Sequence, residues 1–72
     1  MNNYITGATI KTLRDKLHLT QSQLAEKLGV SDKAISKWET GKGFPDISLM
    51  EPLAAVLRVS IPELLTGEQI IN

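Results

Sequence analysis

The sequence predicts an all-α fold of about five helices, and three observations carry that expectation. Apolar residues recur at spacings of three and four along most of the chain, Ser, Thr or Asp precedes each such run, and Gly closes several of them. No strand alternation, internal repeat or low-complexity tract breaks the pattern, and short connections suit a compact helical bundle.

The elements follow in order. Ile10, Leu13 and Leu17 mark a first helix from about Gly7 to Leu17, with Thr6 as its cap. Thr20-Gln21-Ser22-Gln23 has the form of a capping box, and Leu24, Ala25 and Leu28 form the apolar stripe of a short second helix ended by Gly29. Val30 lies in the tight connection and Ser31 caps a third helix, whose buried face carries Ile35 and Trp38 and which ends at Gly41 and Gly43.

Pro45-Asp46 opens a fourth helix in which Ile47, Met50, Leu53, Ala54 and Leu57 are expected to face the core. Pro52 lies inside it: with Ser48 as the effective cap the damage is small, and otherwise a kink is expected. Ser60-Ile61-Pro62-Glu63 is again cap-like, so Ile61 to Thr66 forms a short fifth helix stopped by Gly67.

At 72 residues the chain fits one domain, taken as residues 1–67 with a tail at 68–72 that suits the start of a linker to a further domain. Folding at this size hides only about 60% of the surface of the unfolded chain, so stability is modest. There is no Cys and one His, which removes disulfides, thiolate zinc sites and thiol nucleophiles; no metal and no cofactor are expected. With no second His and no acidic pair that helical spacing would bring together, an enzyme is not expected either, nor a small-molecule site. The apolar stretches are too short to cross a bilayer and Met1 to Leu17 lacks the apolar segment of a signal peptide, so a cytoplasmic location is expected.

The net charge is zero, which by itself speaks weakly against nucleic acid. Its distribution is uneven. Up to Gly43 seven basic residues face four acidic ones, whereas beyond it Arg58 alone opposes Asp46, Glu51, Glu63 and Glu68. Such polarity lets one face meet phosphates while the other repels them.

Two short helices joined by a Gly-containing turn, the second capped by Ser and polar on one side, have the geometry of a DNA-reading helix pair. The run Leu-Thr-Gln-Ser-Gln-Leu-Ala-Glu-Lys-Leu-Gly-Val-Ser-Asp-Lys-Ala-Ile-Ser-Lys-Trp-Glu-Thr-Gly-Lys, residues 19 to 42, is followed by Pro45, Val59-Ser60 and Leu64-Leu65. It resembles the Cro/repressor-like helix-turn-helix family, the xenobiotic-response-element type, over about Ile10 to Leu65. Counting from Gln21, the family's apolar, small and glycine positions are met by Leu24, Ala25, Leu28, Gly29, Val30, Ile35 and Trp38. Ala25 allows close crossing of the two helices, Gly29 a positive φ, and the apolar set the crossing angle.

The resemblance implies a five-helix lambda-repressor-like bundle with the helix-turn-helix at helices 2 and 3. It points to Asp32, Lys33, Ser36 and Lys37 as the residues nearest base edges, where Lys can donate to guanine and Asp can accept from cytosine. It implies a phosphate clamp at Thr20, Gln21, Ser31, Gly41 and Lys42, and a structural pair of Arg14 with Glu39. Its expected partner is double-stranded DNA, bound by a homodimer on a pseudo-palindromic operator as a transcriptional regulator, a repressor above all. The alternative is a protein-binding module of the same fold, such as an antitoxin or an adaptor, using helices 4 and 5.

Two positions depart from the pattern. His18 stands where Gly is common, so a strained or left-handed backbone is expected there. Asp32 puts a negative charge at the DNA-facing helix start, where it reads cytosine, caps the helix or discriminates against wrong sites. Trp38 and Met50 are expected in the core. Phe44 either packs over helix 4 or stays partly exposed near the DNA.

Overall fold

The computed structural model describes residues 2–68, arranged as five helices: α1 Asn3–Lys16, α2 Gln21–Leu28, α3 Asp32–Glu39, α4 Ile47–Leu57 and α5 Ile61–Thr66. α1 packs on α3 and α5, and α2 on α3 and α4. Their shared centre holds Ile10, Leu24, Ile35, Leu53, Leu57 and Leu64, all essentially without solvent contact. Trp38 and Met50 are buried with them, as expected. Leu28, Val30 and Phe44 are partly buried and packed against this core.

The caps set most of the boundaries. Thr20 Oγ1 accepts from the Gln23 amide at 3.0 Å while Gln23 Oε1 accepts from the Thr20 amide at 2.8 Å, a reciprocal pair that Ser60 and Glu63 repeat at α5. Gly29 closes α2 in the left-handed region at φ 72°, and the Ser31 hydroxyl accepts from the Ala34 amide to open α3. His18 adopts φ 59°, the left-handed backbone expected of it.

Three expectations are corrected. Helix 1 does not begin at Gly7: it starts a turn earlier, because Asn2 Oδ1 accepts from the amides of Tyr4 and Ile5 at 2.9 and 3.2 Å. Thr6 is therefore no cap but a buried helical residue, and its hydroxyl has no hydrogen-bond partner. Ile47 does not face the core: as the first residue of α4 it projects beyond the packed turns and is 87% exposed.

Asp46, not Ser48, caps α4, accepting from the Ser48 amide and hydroxyl; these bonds hold its carboxyl below the usual carboxylate range. α4 nevertheless runs on through Pro52 to Leu57. Ser48, whose carbonyl loses its helical donor at Pro52, is exposed, so water can meet it. Of the expected tail, Gln69 to Asn72 lie outside the described residues.

Candidate nucleic-acid interface

The local sequence builds α2, the turn and α3 as one rigid corner. Ala25 is buried where the two helices cross, so no larger side chain holds them apart. The amide of Val30 donates to the Ala25 carbonyl at 3.0 Å, which closes the turn behind Gly29. Ile35 and Trp38, three residues apart, bury one side of α3. The other side is left to Asp32, Lys33, Ser36 and Lys37: Ser36 is partly buried and the remaining three are exposed.

The chain then folds back on α3. The amides of Gly41 and Lys42 donate to the carbonyls of Trp38 and Lys37 at 3.2 and 2.9 Å, and Gly43 lies against the Lys37 stem and the Trp38 ring. A cleft of about 550 Å³ opens between α3 and this loop, bordered by Ser31, Lys33, Lys37, Lys42 and Phe44. It carries three ammonium groups and no carboxylate, so it is a concentrated positive feature on a chain of zero net charge. Phe44 is half-buried at its rim, packed against the core, and it also borders the α4–α5 groove described below.

The structure thus brings together Lys33, Lys37, Ser31 and Lys42 but sets Asp32 apart. Asp32 borders a different depression, beside Ser22, Gln23 and Glu26 of α2. At the first position of α3 its carboxylate also faces the positive end of the helix dipole. Gly41, with φ 76°, contributes shape: its amide is already given to α3, as is that of Lys42.

Behind this face lies the Arg14–Glu39 pair. Arg14 Nε donates to Glu39 Oε2 at 2.6 Å and Nη2 to Oε1 at 3.0 Å, while Nη1 donates to the Leu19 carbonyl at 2.8 Å. Both side chains are more than nine-tenths buried. The hydrogen bond and charge of Glu39 outweigh burial and push the guanidinium pKa up, so it stays charged. Sequence reasoning missed one member of this network: Gln21 Nε2 donates to Glu39 Oε1 at 3.0 Å. Eighteen residues separate the two, and no local spacing signals such a contact. The start of α2, the end of α3 and the last turn of α1 are tied at this point.

The helix-turn-helix family profile matches residues 10–64. The HTH-type transcriptional activator BcrR of Enterococcus faecalis is 48% identical over 63 residues, covering 88% of this chain and 31% of that protein. Repressor protein C2 of Salmonella phage P22 is 35% identical over 68 residues, covering 94% of this chain and 32% of that protein. The chain spans about a third of the length of these curated relatives. The crystal structure of the P22 c2 repressor in complex with a synthetic operator superposes with a TM-score of 0.84 at 35% identity, covering 88% of this chain and 96% of that one.

Proposed function

The chain belongs to the helix-turn-helix family, and from that premise we propose that it is a sequence-specific DNA-binding domain of a transcriptional regulator. The observation that carries the proposal is the lysine cleft on the outer side of α3, backed by the buried network that holds α2 and α3 in register. α3 enters the major groove with Lys33, Lys37 and Ser36 toward base edges, and Asp32 at the flank toward a cytosine. Thr20, Gln21, Ser31, Gly41 and Lys42 frame the phosphates on either side, Gly41 by shape and Gln21 with the part of its amide not engaged by Glu39.

One such unit spans few base pairs, so useful specificity calls for a homodimer on a pseudo-palindrome with half-sites about 34 Å apart. The regulator acts as a repressor by occupying that operator, in the cytoplasm with the DNA it binds. Among the described residues no helix is long and apolar enough to cross a membrane, and no group of His, Cys, Asp and Glu could hold a metal ion. The chain reads as a binding domain of the helix-turn-helix family.

One observation favours a second reading, a protein-binding module. A groove of about 630 Å³ between the start of α4 and α5 is lined by Phe44, Pro45, Met50, Ile61 and Leu65, beside exposed Ile47. A domain whose only partner is a protein would use this face and leave the lysine cleft idle.

Two substitutions test the division of labour. Lys37→Ala is expected to cost about 1–3 kcal/mol on a duplex obtained by selection and to relax preference at one or two positions. Lys42→Ala weakens selected and random duplexes alike and lowers the salt slope by about one. Equal effects of both variants on both duplexes would refute the assignment.

A further inference from the structure

We propose that Tyr4 is an additional DNA-backbone contact, donating its phenol hydroxyl to a phosphate beside the stretch framed by the α3–α4 loop. The proposal rests on the DNA reading above and adds a residue from outside the helix-turn-helix. Tyr4 lies in the first turn of α1 and is 72% exposed, so burial of the ring contributes little. The ring is nevertheless held in place. It covers Gly41 so closely that a Cβ there would collide with ring carbons Cδ1, Cε1 and Cγ.

α1 is anchored at the same end of α3 by backbone contact. Gly7, three residues on from Tyr4, presses against the Trp38 carbonyl and the Glu39 backbone. The backbone of Tyr4 is therefore set relative to Gly41 and its neighbour Lys42, which places the ring beside the loop without further rearrangement of α1. The local field suits an anion. Lys11 is paired with Asp15 and Arg14 with Glu39, so what faces an anion is exposed Lys42, next to Gly41, and the positive end of the dipole of the 14-residue helix. Tyr hydroxyls are among the neutral donors that meet phosphate oxygens.

A ring that served only to cover Gly41 would gain nothing from its hydroxyl, so Tyr4→Phe separates the two roles. In mobility-shift titrations with a selected and an unrelated duplex, Tyr4→Phe is expected to weaken both about fivefold, the worth of one hydrogen bond, with the salt slope unchanged. Replacing single flanking phosphates by neutral methylphosphonates should uncover one position that weakens the wild type and leaves Tyr4→Phe unaffected. Thermal melts should show equal stability for the two proteins. If Tyr4→Phe binds like the wild type while Lys37→Ala is impaired, the Tyr4 proposal is overturned and the DNA reading stands. If the wild type binds no duplex, both fall.

Discussion

Gly7→Ala is expected to be severely destabilising, although alanine is the better helix former. Gly7 sits inside α1, where the exchange alone would gain about 1 kcal/mol. Its missing Cβ, however, is the space occupied by the Trp38 carbonyl oxygen, with the carbonyl carbons of Trp38 and Glu39 both 3.1 Å from that position. These are backbone atoms and cannot rotate aside, so α1 and the end of α3 must separate. Overpacking of this kind costs about 1–3 kcal/mol and more where nothing can yield. We expect the upper end, a net loss of about 2–3 kcal/mol, which for a chain of this size lowers Tm by roughly 10–20 °C. Gly29→Ala provides the contrast: no atom lies within 4 Å of its Cβ, so only the positive φ is penalised, by about 1–2 kcal/mol. A Tm for Gly7→Ala equal to or above the wild type would show that α1 does not approach α3 this closely.

Glu39→Ala is expected to have the largest effect of any single substitution, about 3–5 kcal/mol. It leaves the Arg14 guanidinium buried with the Leu19 carbonyl and one 3.4 Å contact to Asp15, and it removes the acceptor of the Gln21 amide. A domain of 72 residues has about 4–11 kcal/mol to lose in total, so the variant is at the margin of folding. The paired replacement Arg14→Met with Glu39→Leu removes both charges, and most of the loss should be recovered. Urea denaturation of the wild type and these two variants checks this through the transition midpoint. A single variant no less stable than the paired one would show that the ion pair is not closed in the folded protein.

The elements that were legible in the sequence are those whose signals are local. Thr20 with Gln23, Ser31, Gly29, and Ser60 with Glu63 are caps and stops written within four residues, and the structure places each where the sequence puts it. The start of α1 was not legible in this way, since Thr6 and Asn2 are both competent caps and the choice falls to Gly7, which must sit within the helix to approach α3. Ile47 fits the apolar periodicity of α4 yet lies beyond the reach of its neighbours, something periodicity alone does not register. The Arg14–Glu39 pair came from family resemblance and not from spacing, and Gln21 joined it only in three dimensions. Asp32 shares a helix face with Ser36 by geometry, but the α2 side chains beside it decide which depression it borders.

The central claim is that the lysine face of α3 binds duplex DNA, and its most direct test is the salt dependence of binding to a duplex recovered by selection from random sequence. Binding through the lysine face predicts a negative slope in log K against log salt, about −0.9 for each phosphate a lysine neutralises, with a pseudo-palindromic recovered site. Absence of binding, or an affinity independent of salt, would contradict the claim and leave the α4–α5 groove as the functional face.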